Sequence, residues 1–169
     1  MMGHLMRRSR RYLLVICALA LLSLAAAGTA LARQTGLPKL DGTNPITGKP
    51  VKLATYAGKP LVLHVWASWC SECNAEAPTI AAAAARARGV TFIGIDIADN
   101  AGDAKGFYRR HGWRFVSIDD PKRTRMTSLG VPGQPSTVFV NTKGTIVARI
   151  IGPASASQLA SGIKLASKR

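Results

Sequence analysis

Cysteine, histidine and acidic side chains are scarce in this chain, and each shortage excludes something. Three Cys in 169 residues are too few to staple a small secreted miniprotein. Of three His, His64 and His111 alone lie beyond the first 32 residues, far apart and without a second Cys pair or a His-x-x-x-His spacing, so a zinc site is not expected. Eight Asp and Glu face 23 Lys and Arg, which leaves a net charge of +15 to be located. The chain has no internal repeat, and it is too short for a barrel enzyme of about 250 residues. What it has in plenty is apolar surface: 47% hydrophobic residues mark a chain that folds.

The first 32 residues read as an export segment. Residues 1–11 (MMGHLMRRSRR) carry four Arg and no acid, and residues 12–32 carry no charge at all. A basic start, an apolar run and an Ala30-Leu31-Ala32 ending fit a secretory signal peptide. The run is also long enough for an N-terminal membrane anchor. Its strongly apolar part covers only 13–24 and is followed by small residues, which favours the signal. Arg10-Arg11 loosely fits a twin-arginine export pattern, and a plain basic start explains it equally well. Either way the positive-inside rule places residues 33–169 outside the cytoplasm. Cys17, inside the apolar run, is an apolar filler.

Positive charge is not confined to that segment. Residues 1–32 hold four basic groups and no acid, so 19 basic and eight acidic groups remain, net +11. They are spread singly or in pairs, as at Arg109-Arg110 and Lys122-Arg123, with no aromatic ladder. Nucleic-acid binding is therefore not expected. A solvated basic surface near anionic lipid or cell-wall polymer is the plainer reading.

The rest alternates strand and helix. Residues 33–50, rich in Gly, Pro, Thr and Lys, read as a tether and lead-in with turns at 42–44 and 47–50. Short strands are expected at 51–56 and 115–118, a strong apolar strand at 61–66 (LVLHVW), and a central one at 90–97 (VTFIGIDI). Helices are expected at 70–88, with Pro78 kinking or restarting it and Gly89 ending it, and at 101–111, ended by Gly112. Residues 121–129 form a helix or turn. Residues 137–141 and 145–151 flank Thr142-Lys143-Gly144 as a hairpin. Residues 155–167 close the chain as an amphipathic helix with Leu159, Ile163 and Leu165 as its apolar members. This pattern is an α/β layer fold with a mixed sheet in a single domain over 51–169.

The chemistry lies in Trp69-Cys70-Ser71-Glu72-Cys73, which follows strand 61–66 and opens a helix. A helix N-terminus offers unpaired N–H groups and the positive end of the macrodipole, so a thiolate at Cys70 is stabilised there. Cys73 falls one turn on, within reach for a disulfide. A purely structural disulfide is a poor alternative, because so short a loop removes little chain entropy. Redox exchange is the favoured reading.

Two stretches carry a resemblance. Residues 65–78 (VWASWCSECNAEAP) are similar to the active site of the TlpA/ResA/DsbE-like family of extracytoplasmic thiol-disulfide oxidoreductases. Residues 130–140 (GVPGQPSTVFV) resemble that family's second signature. The likeness runs from about Leu37 to Leu165. It implies a thioredoxin-like fold, with a central mixed β-sheet flanked by helices. Cys70 would be the nucleophile, Cys73 the resolving thiol, and Cys70–Cys73 the redox-active disulfide, with no other cofactor and no metal. Trp69, Gln134 and Pro135 would line the substrate groove, with the peptide bond before Pro135 in the cis form. Substrates would be protein thiols or disulfides, served by a separate redox partner, expected in the membrane. The domain would be extracytoplasmic; on oligomeric state the sequence is silent, and a monomer is the default expectation.

Several residues depart from the family pattern. His64 stands where thioredoxins proper carry a buried Asp and many relatives Asn. It either shuttles the resolving thiol's proton or is a buried neutral His bound to backbone. Glu72, between the cysteines, opposes thiolate formation and so an extremely oxidising pair. Glu76 is expected to cap the helix or pair with an Arg, and His111 to complement a helix end as a cation. The Pro-x-x-x-Thr-x-x-Cys setting of peroxiredoxins is absent before Cys70, so peroxidase activity is not expected. Two directions stay open: reduction, as in cytochrome c maturation, or oxidation of secreted proteins. Two other classes are a non-catalytic peptide-binding module and a Cu(I) carrier; intact cysteines weigh against the first, and the lack of Met- or His-rich tracts against the second.

Overall fold

A computed structural model describes Gly36 and residues 39–168. The expected export segment lies outside the described residues. Among those described, no helix is long and apolar enough to cross a membrane.

The fold is built around one apolar strand. Two short strands come first, β1 (Gly42–Thr43) and β2 (Pro50–Val51), followed by the central β3 (Leu61–Trp66), all six of whose residues are buried. Helices cover both faces of such a strand. β3 pairs in parallel with β4 (Thr91–Asp96), which pairs in parallel with β5 (Val116–Asp119). On its other side β3 runs antiparallel to β6 (Ser136–Val140), and β6 antiparallel to β7 (Ile146–Ile151). The sheet order is β5-β4-β3-β6-β7, the mixed sheet expected.

Helix α1 (Ser71–Arg86) connects β3 to β4, and α2 (Ala101–His111) connects β4 to β5. A short α3 (Thr124–Ser128) precedes β6, and α4 (Ala156–Ala166) packs on β6, β7 and α1. Parallel strands joined by returning helices put the C-termini of β3, β4 and β5 and the N-termini of α1 and α2 at one edge of the sheet, and antiparallel β6 starts there. The start of α1, the start of β6 and the start of α4 therefore share that edge, and the helix C-termini and the β6–β7 turn share the opposite one.

Aromatic packing fixes the α2 side. Trp66 is fully buried, 4.6 Å from the Phe107 ring and 5.3 Å from Trp113. Its indole N–H donates to Ser117 Oγ at 3.1 Å. Gly94, on the strand between them, is required: a Cβ there would meet Ser117 Oγ at 2.5 Å and Trp66 Nε1 at 2.7 Å.

Four local expectations are corrected. Residues 51–56 are not one strand: β2 ends at Val51, and Leu53–Tyr56 is a 3-10 turn. Leu53 is buried there, and Asp41 Oδ1 accepts its N–H at 3.2 Å. The lead-in is not all tether, since Leu40 is buried and β1 pairs with β2. Asp119 Oδ1 accepts the Thr43 N–H at 2.7 Å, fixing this ladder beside β5. Pro78 neither ends nor restarts α1, which runs unbroken past it. Its ring removes one donor, and burial of Cys73, Ala77 and Ile80 holds the helix together. Leu165 is exposed; Gly162 and Ala166 take the buried face of α4 with Leu159.

Candidate active site

Cys70 occupies the N-cap of α1, with extended backbone and its sulfur accepting the Cys73 N–H at 3.1 Å. A cysteine thus does what Ser or Asp does at most helix starts. The two cysteines form a disulfide, with Cα atoms 5.2 Å apart. Burial separates them: Cys70 is 8% exposed, Cys73 wholly buried. Only the first sulfur lies at the surface, which fits attack by Cys70 and resolution by Cys73.

The preceding turn is braced from two sides. Asp99, just beyond β4, accepts the Ser68 N–H at 2.7 Å and the Ser68 hydroxyl at 2.6 Å. Trp69 stands 53% exposed beside Cys70, its indole N–H donating to Ala98 O at 3.3 Å. From the helix side, the Asn74 amide donates to Ser68 O and to Cys70 O, each at 2.8 Å. Its oxygen lies 3.1 Å from His111 Nε2. With both amide protons committed to carbonyls, Asn74 Oδ1 is the acceptor and His111 Nε2 the donor. His111 therefore supports the cysteine turn. Burial first, and Arg110 second, lower its pKa, so it is not the helix-end cation expected.

Gln134-Pro135 has a cis peptide bond. Val65 pairs with Ser136, so Pro135 lies at the C-terminal end of β3, the end from which Cys70 follows. Pro135 O accepts the Gly152 N–H at 3.0 Å, which ties this turn to the end of β7. Gln134 is half-buried on the same turn.

Beneath the cysteines lies a buried polar pair. His64, mid-strand and fully buried, places Nδ1 3.0 Å from the Thr137 hydroxyl on β6. Its Nε2 lies 3.3 Å from Glu76 Oε1, and neither atom has a hydrogen-bond partner. Glu76 Oε2 accepts the Ala154 N–H at 2.7 Å. So His64 binds side chains rather than backbone, and Glu76 neither caps α1 nor meets an Arg. Cys73, Glu76, Ala77 and Ile80 form the buried face of α1, which places this carboxylate one turn from the resolving sulfur. Glu72, in contrast, is exposed.

A second carboxyl group was not singled out by sequence. Asp96 ends β4 almost fully buried, beside Asp99, and its Oδ1 has no partner. Burial first, then the charge of Asp99 and a hydrogen bond to it, push the Asp96 pKa up to about 8. Asp96 thus keeps its proton at neutral pH, as a donor toward the carboxylate that holds Ser68. Among the described residues, no group of three His, Cys, Asp or Glu side chains is gathered as for a metal.

This architecture recurs in known proteins. Over 100 residues the chain is 36% identical to the soluble secreted antigen MPT53 of Mycobacterium tuberculosis, covering 59% of this chain and 58% of that one. It is 35% identical over 100 residues to the thiol:disulfide interchange protein DsbE of Pseudomonas aeruginosa, covering 59% of this chain and 54% of that one. The chain thus spans little more than half the length of these curated relatives. A solved structure of a secreted Mycobacterium tuberculosis disulfide oxidoreductase superposes with a TM-score of 0.68 at 31% identity, covering 75% of this chain and 95% of that one. The expected thioredoxin-like fold and DsbE-type resemblance are thereby met. The AhpC/TSA family matches residues 34–149, most of the described domain, and the chain belongs to that family.

Proposed function

We propose that this protein is an extracytoplasmic thiol-disulfide oxidoreductase that exchanges disulfides with protein thiols through Cys70 and Cys73. The observation that carries this reading is the unequal burial of a bonded Cys pair at a helix N-terminus, beside the turn that holds Pro135. In the reducing direction, the Cys70 thiolate attacks a substrate disulfide. One substrate sulfur bonds to Cys70 and the other leaves as a thiolate. Cys73 then gives up its proton and attacks Cys70 Sγ. The Cys70–Cys73 bond closes, the second substrate thiolate leaves, and two electrons have passed to the substrate. In this reading His64 and Glu76 take and return the Cys73 proton, supported by the burial of Glu76 one helical turn from Cys73 and by its 3.3 Å approach to His64 Nε2. Trp69, Gln134 and Pro135 border the groove in which an extended peptide binds. The Cys pair is the only redox centre the reaction needs, so a separate protein must restore its electrons.

We read the direction as reductive, and a role in cytochrome c maturation is the specific form of that reading. Glu72 supports it, since a negative charge between the cysteines disfavours the thiolate that strong oxidants stabilise. Peroxide reduction is not part of it, because the residues before Cys70 lack the peroxidatic setting. The test is the reduction potential of the pair, set against glutathione buffers and read by Trp69 fluorescence. A value near about −250 mV or lower supports the reductive role; a value near about −150 mV or higher replaces it with oxidation of secreted proteins.

A further inference from the structure

We propose that the end of the domain opposite the cysteines is an electrostatic docking face for an anionic lipid bilayer, which leaves Cys70 turned away from the membrane. This stands independently of the redox reading, because it rests on where the charges lie.

The topology gathers the acids at the cysteine end and leaves the opposite end with cations alone. Glu72 and Glu76 lie in the first two turns of α1, and Asp103 in the first turn of α2. Asp96 and Asp119 end β4 and β5, with Asp99 and Asp120 just beyond. Asp41 is held to the same end, where its carbonyl accepts from Arg125 at 2.9 Å beside the Thr43–Asp119 bond. All eight acids of the chain are thus on the cysteine side. At the other end, Arg86 closes α1 and Arg88 follows it, while Arg109 and Arg110 close α2. Arg114 leads into β5, Lys59 into β3, Lys143 occupies the β6–β7 turn, and Lys168 follows α4. Each of these cations is exposed, and none is in an ion pair, those among the described residues being His64–Glu76 and Arg125–Asp120.

Helix ends explain part of this, since cations complement the C-terminal dipole. They do not explain Lys59, Arg88, Arg114 or Lys143, which lie in loops. A protein partner would call for an apolar centre depleted of charge, whereas the apolar cleft on this face has Arg114 in its lining. Unpaired cations dispersed over the ends of separate elements instead suit a continuous anionic surface. The face also has apolar parts that a soluble polyanion would not use. A cleft of about 500 Å³, lined by Tyr56, Ala84, Val90, Phe92, Trp113 and Phe115, opens beside Arg114. Leu165 is exposed in the last turn of α4.

Residues Gln34–Arg169 form a compact unit with its own core, and the solved Mycobacterium tuberculosis chain, 95% covered, folds with no more than that. That unit is the sample. Its sedimentation is measured with vesicles of phosphatidylcholine alone and with phosphatidylglycerol added, at low and high salt. The wild-type unit is expected to bind only the anionic vesicles, and only at low salt. Each basic side chain near such a surface multiplies partitioning about fivefold. The double variant Arg88→Glu/Arg114→Glu should therefore lose at least about twentyfold. Lys105→Glu/Lys122→Glu changes the net charge equally on the cysteine half and should lose no more than about threefold. On bound protein, reduced Cys70 should react with iodoacetamide at its rate in solution. Equal losses from the two variants, shielding of Cys70, absence of binding, or competition by soluble polyglutamate with no preference for vesicles would each overturn the proposal.

Discussion

Replacing Asp96 with Asn should stabilise the protein at neutral pH, although Asp96 is buried at the end of β4. An unfolded chain releases the Asp proton near 3.8, whereas the folded protein holds it to about 8. Between those values the folded state binds more protons than the unfolded state, so stability falls as pH rises and levels off above about 8. Each pH unit inside the window changes stability by up to about 1.4 kcal/mol for one proton. At pH 7 the wild type thus carries a penalty with a ceiling on the order of 4 kcal/mol relative to its stability near pH 4. The amide of the Asp96→Asn variant has the shape of the protonated acid and keeps a donor toward Asp99, but it carries no proton to lose.

Urea unfolding of the oxidised wild type and of Asp96→Asn, at a series of pH values from about 4 to about 9, isolates this effect. Other acids contribute to each curve and cancel in the difference. The variant should gain a few kcal/mol at pH 7, and the gain should vanish toward pH 4. A difference that does not change with pH, or a variant less stable throughout, would refute the carboxyl pair. The effect should reach the active site as well. Above about pH 8, ionised Asp96 repels Asp99, the group that holds Ser68, so the pH profile of Cys70 alkylation in the wild type should depart there from that of the variant, in which the thiol's own titration remains.

Cys73→Ser should leave a nucleophile that cannot be released, so mixed disulfides with substrate proteins should accumulate and turnover should fall below detection; non-reducing gels and mass spectrometry of the trapped species check this. His64→Asn and Glu76→Gln should each alter the pH profile of disulfide exchange while the fold persists, and an unchanged profile in both would remove the buried pair from the proton path. Gly162→Ala should destabilise by about 1–3 kcal/mol, although Ala favours a helix by about 1 kcal/mol, because the added methyl would overlap the ring of buried Phe139; thermal unfolding reads the sign.

The parts of the fold legible in sequence were those set by local pattern. LVLHVW could only be a covered strand, and Gly112 sits after α2 with positive φ as a helix stop. Leu40 and Leu53 were not legible as core, because Gly, Pro and Lys around them set the composition of the segment, and the β1–β2 ladder beside them is tied to β5, far along the chain. The same distance hid Asp99: nothing near residue 99 announces that its carboxylate will hold Ser68. Pairings of that kind are tertiary facts, fixed only when β4 and β3 lie side by side in register.

Glu76 is different, because its signal was present and was outweighed. An acid one turn past Glu72 on an alanine-rich helix reads as a cap or as one half of a surface ion pair. Yet the active site itself supplies an anchor for the helix phase. If Cys73 must be buried to act as the resolving thiol, then positions three, four and seven residues later share its face. Those positions are Glu76, Ala77 and Ile80, and they are the ones the structure buries with it. The carboxylate is then forced into an apolar layer, where it must find partners. One is the Ala154 N–H, and the other side of the carboxylate meets His64. The unusual His on the strand and the buried Glu on the helix are therefore one feature, each explaining why the other is tolerated inside the protein.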